Sequence, residues 1–286
     1  MFCLNLCEIL NAALLKNDVL GRMINRIVEK NEIKDPLERI YVGSSFCSQY
    51  FLHIACWRDI IEYCREREYK MTLTLPIFSE KDLEIGKARI DQILRIGDDV
   101  IDEITVNDVG MLVYIPDKYE KNINLGRLFF KDSRDVRVPG YRESAVRPNL
   151  LSKKEYMMMG TERVKGVELD AVSRYIDLRD CDFSGITLGI HGPFCFMTTG
   201  NICKYASIPK EPDQKFRPNG TCSMECLQVY EHYKEKFGGQ NTDILRYGRT
   251  VYYYNNGSRV AGKKIDRKIY FPVLEMKRIM KEGVER

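Results

Sequence analysis

The chain has 286 residues, 44% of them hydrophobic and 30% charged, with 45 basic against 41 acidic side chains and a formal net charge of +4. That is enough apolar material for a substantial core, and too small a basic excess to argue by itself for nucleic acid. No uninterrupted apolar stretch approaches the roughly 20 residues that span a bilayer, and the amino terminus, broken by Glu8, Lys16 and Asp18, lacks the basic start of an export signal; a cytoplasmic protein without membrane insertion is expected.

Residues 1–6 read as a short opening strand and 19–30 as its helix. A β-rich run at 39–44 precedes a helix over 53–70 that aligns Ile54, Trp57, Ile60, Ile61 and Cys64 on one face. Residues 71–77 are the next strand. An amphipathic helix at 80–96 follows, with Ser79 as N-cap and Leu83, Ile85, Ile90, Ile93 and Leu94 as its buried stripe. The strand at 103–107 ends in Asn107 and Asp108, and 124–130 and 165–170 supply two more. The charged interval 131–160, with Pro139, Pro148 and three methionines at 157–159, reads as a long βα loop. Strands at 186–191, 243–254 and 268–273 and a helix at 274–285 complete the chain.

Strands alternating with helices imply a parallel sheet, and the number of units suits an α/β fold of the TIM-like (β/α)8 barrel type, incomplete or irregular in places; a doubly wound open sheet is the alternative. The expected organisation is one barrel domain over 1–286 with loops inserted at about 131–160 and 192–222, the second bearing cysteines at the C-terminal face.

Ten cysteines occur, at 3, 7, 47, 56, 64, 181, 195, 203, 222 and 226. In a chain of this length without an export signal they read as free or metal-bound thiols rather than as a disulfide framework. Cys195, Cys203, Cys222 and Cys226 follow the pattern C-x7-C-x18-C-x3-C, and thiolates so concentrated suit zinc or an iron–sulfur cluster. The paired C-x2-C knuckles of a zinc ribbon are absent, which favours a cluster. In a barrel, Cys47, Asn107, Asp108 and Cys195 all lie just past strand ends, on the face where barrel enzymes keep their chemistry. The loop beyond Gly192 is long enough to bring Cys203, Cys222 and Cys226 to Cys47, with the last two at the start of a helix. Cys47 and Cys195 compete as fourth ligand. Cys3, Cys7, Cys56, Cys64 and Cys181 read as inert structural thiols.

Three further groups are candidates for catalysis or binding. His191 precedes the cysteine segment and either orients substrate or is a satisfied core histidine. Lys131, Arg134 and Arg137 form either an anion pocket or a solvated loop face. Glu168 and Asp170, at a strand end, serve as acid or base, or as ordinary hydrogen-bonding groups of the barrel. The alternating Tyr252-Tyr253-Tyr254 run reads as packing. No nucleophile–base pair or open zinc motif supports hydrolysis.

Several segments resemble the collagenase-like peptidase family. Ile40-Tyr-Val-Gly-Ser-Ser-Phe-Cys47-Ser, Thr72-Leu-Thr-Leu-Pro and Glu103-Ile-Thr-Val-Asn-Asp-Val-Gly110 look like the opening half of its UbiV-type members. The His191-Gly-Pro-Phe-Cys195, Gly200-Asn-Ile-Cys203 and Gly220-Thr-Cys222-Ser-Met-Glu-Cys226 segments resemble the signature of the wider family, which includes UbiU, RlhA and TrhP. The resemblance implies a TIM-like barrel with a 4Fe–4S cluster and a role in oxygen-independent hydroxylation of an aromatic or prenylated precursor. It also implies prephenate as hydroxyl donor and a UbiU-like barrel partner in a heterodimer. By position, Cys47, Cys203, Cys222 and Cys226 match the UbiV-type ligand set, and Cys195 matches a UbiU-type ligand. Having both is a departure, as is a C-x7-C gap one residue longer than the family's C-x6-C, so the fourth ligand stays open. RNA base hydroxylation within the same family and a non-catalytic protein stapled by a structural metal are the alternative functions; peptidase activity is not expected.

Overall fold

The computed structural model describes residues 1–130, 145, 162–181, 183–217, 222–237 and 240–284. From the amino terminus, β1 (Phe2–Asn5) leads through α1 (Ala12–Leu15) and α2 (Val19–Lys30) to β2 (Leu37–Gly43). Helices α3 (Ser48–His53) and α4 (Trp57–Glu66) connect to β3 (Lys70–Thr74), α5 (Glu80–Gly97) to β4 (Ile101–Val106), and α6 (Val109–Lys118) to β5 (Asn122–Leu125). Strands β6 (Val164–Asp170), β7 (Tyr175–Asp177), β8 (Thr187–Gly192) and β9 (Phe194–Thr199) come next, then α7 (Lys204–Ser207). The chain finishes with β10 (Glu231–Phe237), β11 (Gln240–Tyr247), β12 (Thr250–Tyr254), β13 (Arg259–Ala261), β14 (Arg267–Tyr270) and α8 (Val273–Val284).

Strands β1 to β6, β8 and β14 pair in parallel and close on themselves, β14 lying between β8 and β1. This is the TIM-like α/β barrel expected from the alternation of elements. It is irregular: among the described residues no helix joins β6 to β8. Between β8 and β14 the chain builds an antiparallel sheet in the order β10-β11-β12-β9. Residues 192–222 are therefore not simply a loop, because they begin by contributing β9 to that sheet.

Local departures from the sequence reading have identifiable causes. The expected helix at 53–70 breaks between His53 and Trp57, and Lys70 already belongs to β3. The run 124–130 leaves the sheet at Leu125 and turns through a short 3-10 segment, Arg127–Phe129. The run 243–254 is a hairpin, folded at Gly248 in the left-handed region (φ +57°), where glycine carries no steric penalty. Ser79 does occupy the N-cap of α5, but its hydroxyl donates to Asp82 (2.9 Å) instead of accepting from the backbone.

Helix α5 also corrects one core position. Leu83, Ile90, Ile93 and Leu94 pack inward with Gly86 and Gly97, whereas Ile85 is 61% exposed. Two residues from Leu83, it sits about 200° around the helix from that stripe. Ile85→Lys is expected to change stability by no more than about 0.5 kcal/mol. Ile90→Ala should cost about 2–5 kcal/mol in urea unfolding, because it opens a cavity in the core.

The barrel strands alternate with period two. Met71 and Leu73, Ile104 and Val106, and Val167 and Leu169 belong to the continuous apolar core shared with the helices. Their neighbours Thr72, Thr74, Glu103, Thr105, Glu168 and Asp170 are equally buried. Thr72, Glu103, Thr105, Glu168 and Asp170 face the barrel interior, because their bonds run across it. Arg267 on β14 makes a bidentate pair with Glu103 on β4, four strands away around the ring (2.6 and 2.7 Å). The inside of this barrel is a hydrogen-bonded polar network, not the branched aliphatic packing usual in such folds. No helix among the described residues is long and apolar enough to cross a membrane.

Candidate metal centre

Cys47 is delivered by a tight turn at the C-terminal end of β2. Gly43 takes φ +117°, and a Cβ there would collide with the Thr74 carbonyl oxygen, so the chain passes β3 only without a side chain. Beyond it, residues 44–46 wrap around the Glu8 carboxylate. Oε1 of Glu8 accepts from Ser44 Oγ (2.9 Å), Ser45 N (2.5 Å) and Phe46 N (3.1 Å). Ser44 Oγ in turn accepts from Cys47 N (2.8 Å). Cys47 is the N-cap of α3, its Sγ accepting from Tyr50 N at 3.4 Å.

Cys203 stands at the start of α7, where Ser207 Oγ donates to its carbonyl oxygen (2.9 Å) and accepts from Phe216 N (3.2 Å). Cys222 and Cys226 are not on a regular helix. Met224 between them is left-handed (φ 64°), its N–H donates to Cys222 Sγ (3.4 Å), and Cys226 lies in a 3-10 turn, Glu225–Leu227. That bend turns two cysteines of one short segment toward the same space. Lys277 on α8 donates to Leu227 O and so ties the segment to the barrel. The β11–β12 hairpin is fastened from the other side, Arg249 Nε donating to Phe46 O (2.6 Å).

Cys47, Cys203, Cys222 and Cys226 all line one cavity at the C-terminal mouth of the barrel, together with Glu8 and Arg249. Among the described residues, no three His, Cys, Asp or Glu side chains are gathered tightly enough to hold a single ion. The thiols are nevertheless close enough to feel one another's charge. Burial, then the charge of Cys47, Cys203 and Cys222, raises Cys226. Burial pushes Cys222 up to about 11 and raises Cys47 also, against the opposing charge of Arg249. A metal bound here would have to displace protons, which makes its affinity depend on pH. The donor set suits a soft metal centre, with two sulfurs already receiving backbone N–H groups. None of the ten cysteines forms a disulfide.

The other candidates are placed elsewhere. Cys195 on β9 is fully buried, its Sγ donating to Ala171 O (2.9 Å), and it does not line this cavity. His191 and Glu168 lie inside the barrel: His191 Nε2 and Glu168 Oε2 are 2.9 Å apart, Thr105 Oγ1 donates to Glu168 Oε1 (2.6 Å), and His191 Nδ1 faces Asn5 Nδ2 at 3.4 Å. They form a satisfied core pair away from the thiols. Asp170 accepts from Arg127, and Asn107 donates to Leu75 O. Lys131, Arg134 and Arg137 lie outside the described residues. Tyr252 and Tyr253 are both buried rather than alternating in and out, at a register shift between Val251 and Tyr252, while Tyr254 is exposed.

Burial, then the charge of Arg127, holds His191 below its ordinary 6.5, with Glu168 opposing. The unfolded chain therefore binds the proton more readily. The stability this neutral imidazole contributes is present above 6.5 and is lost as pH falls toward the lowered folded value. His191→Gln is expected to flatten that part of the curve of urea midpoint against pH.

Sequence reasoning did not find Glu8, Arg127 or Arg249 as parts of the site. Arg127 is only 2% exposed; it bonds Asp170 (3.2 Å) and Ser45 Oγ (3.0 Å) and lies over the Phe46 ring at 4.6 Å, which braces the Cys47 turn from below. A charged residue within three positions of an expected strand's end was the available signal for Glu8; Arg127 fell inside the expected strand 124–130, and Arg249 inside the expected strand 243–254. No family model, curated protein or solved structure matches the chain.

Proposed function

We propose that this chain is an iron–sulfur protein of the UbiV type within the collagenase-like peptidase family. In this proposal it holds a 4Fe–4S cluster on Cys47, Cys203, Cys222 and Cys226 and serves oxygen-independent hydroxylation of an aromatic or prenylated precursor. A UbiU-like partner and prephenate as hydroxyl donor belong to the same proposal. The observation that carries it is the meeting of four thiols, from two separate parts of the chain, in one cavity at the catalytic face of a barrel. A polynuclear centre binds its thiolates on different iron atoms and suits donors set wider apart than one zinc ion with bonds of about 2.3 Å. The lack of a disulfide at any of the ten cysteines favours a reducing compartment, hence the cytoplasm.

When bound, the cluster would supply electron transfer, since four cysteines leave no iron position open to substrate. The chain's own groups have separate tasks. Glu8 and Arg127 fix the turn that presents Cys47; Tyr50 and Met224 direct N–H groups at two sulfurs. Arg249 sets a positive charge beside Cys47. Iron and sulfide analysis of anaerobically purified protein tests the proposal. Brown protein with iron and sulfide supports it, whereas colourless protein holding zinc replaces it with a structural staple.

A further inference from the structure

One stretch of the cavity's rim turns apolar side chains to solvent. Its inner side packs normally: Tyr205, Ala206 and Ser207 of α7 are buried, and the Tyr205 hydroxyl donates to Arg246 O (2.8 Å). On its outer side stand Ile202, Ile208 and Phe216, which are 41%, 60% and 59% exposed. Ser207 Oγ donates to Cys203 O and accepts from Phe216 N, so the backbone at all three positions is gathered around one hydroxyl. Phe216 is held there in the left-handed region (φ 57°), which a bulky residue seldom adopts. Backbone strain of this kind gathers at functional sites, and large apolar side chains grouped in the open mark a surface that meets something other than water.

The charges around the patch restrict what that is. From 202 to 217 the chain carries Lys204, Lys210, Lys215 and Arg217 against Glu211 and Asp213. Lys204 is paired with Glu231, and Arg217 lies 3.9 Å from Asp213. Lys210 and Lys215 have no ion-pair partner among the described residues. The core of a protein–protein interface is depleted of lysine, yet here both unpaired lysines fall between Ile208 and Phe216. Apolar side chains interleaved with free ammonium groups match the boundary of an anionic bilayer instead, where acyl chains take the former and headgroups the latter.

We propose that the rim bearing Ile202, Ile208, Phe216, Lys210 and Lys215 docks the protein on an anionic lipid surface, with the mouth of the thiol cavity toward the bilayer. Cys203, Ser207, Lys210 and Arg217 line that cavity, so the docked rim is its edge. The protein lies on the surface and does not span it. The inference rests on the proposed function in one respect, that a prenylated precursor is an apolar molecule held in lipid; the docking itself needs no cluster.

Co-sedimentation of the full-length, anaerobically purified protein with lipid vesicles tests it. One set of vesicles is phosphatidylcholine, the other phosphatidylcholine mixed with phosphatidylglycerol. The protein should bind the anionic set about tenfold or more strongly, and added salt should remove that advantage. Ile208→Ser with Phe216→Ser should lower binding to the anionic set about tenfold or more, through lost apolar burial. Lys210→Glu with Lys215→Glu should abolish the preference for that set. Circular dichroism checks each fold, and Phe216→Ser or Lys215→Glu alone is read where a double variant does not fold. No binding to either set, equal binding to both, or undiminished binding in either folded variant overturns the inference, the first of these leaving the patch to an acidic soluble protein. Iron analysis of the same samples keeps the two readings apart. Iron-free protein that binds the anionic set sinks the cluster and leaves the docking, whereas brown protein that ignores vesicles does the reverse.

Discussion

On the proposed function, changing Cys47, Cys203, Cys222 or Cys226 singly to serine should leave the anaerobically purified protein without the colour and most of the iron that the proposed cluster would give it. Each of the four lines the same cavity, and a hard hydroxyl oxygen is a poor substitute for a thiolate on a soft centre. Outer partners of a metal site alone are worth about 10–100-fold in affinity, so loss of a ligand should weaken metal affinity by at least that factor. Cys195→Ser and Cys64→Ser are the informative controls. Cys195 gives its proton to Ala171 O and Cys64 is buried in the helical layer, so both variants should keep their iron. Retention in Cys47→Ser with loss in Cys195→Ser would reverse the assignment of the fourth ligand. The raised thiols add a pH arm: binding must release their protons, so affinity should fall as the medium is acidified.

The second large effect lies in the barrel interior. Glu103 receives Arg267 through both terminal nitrogens (2.6 and 2.7 Å), with Asn124 at 3.1 Å and Arg39 at 3.4 Å. Glu103→Ala leaves a guanidinium buried without its partner and is expected to cost about 3–5 kcal/mol, a large share of the roughly 5–15 kcal/mol that holds a folded protein together. Replacing both groups by apolar residues of similar size, Glu103→Leu with Arg267→Met, should be far milder, since no charge is then stranded. Desolvation would raise the Glu103 carboxyl, but the Arg267 hydrogen bonds and the Arg39 charge outweigh it and hold the group below its usual 4.5. Its contribution is therefore complete above 4.5 and disappears as pH falls through the lowered folded value. Urea midpoints measured across that range should show the acid-sensitive limb shrinking in Glu103→Gln. An unchanged limb would mean that the pair does not hold the barrel closed as described.

Much of the barrel was legible because its signals are local. The amphipathic stripe of α5, the β-branched runs and the strand–helix alternation each follow from side chains a few residues apart, so Ile90, Ile93 and Leu94 were placed correctly. Ile85 was not, because an apolar side chain near a stripe does not report its angle around the helix when read as part of a run. The hairpin at Gly248 was merged into one strand because β-propensity continues through Tyr247 and Thr250 on both sides of the turn. Cys47, Cys203, Cys222 and Cys226 were named from residue type and spacing. Their common cavity, and the exclusion of Cys195 from it, depends on the path of β9: its antiparallel pairing with β12 holds Cys195 against Tyr253.

By itself, the sequence determined the period-two alternation of Met71-Thr-Leu-Thr, Glu103-Ile-Thr-Val and Val167-Glu-Leu-Asp, which forces unlike faces onto every such strand. It did not determine which face would meet water. On an open sheet the threonines and carboxylates would be solvated; closure of β1 against β14 turns them inward, where Arg39, Arg267 and His191 are the partners that make their burial tolerable. The same closure brings the ends of β1, β2 and β5 together, so that Glu8, Cys47 and Arg127, distant along the chain, build one wall. Local chemistry is written in neighbouring residues, but convergence is a property of the closed ring, and only the folded chain decides it.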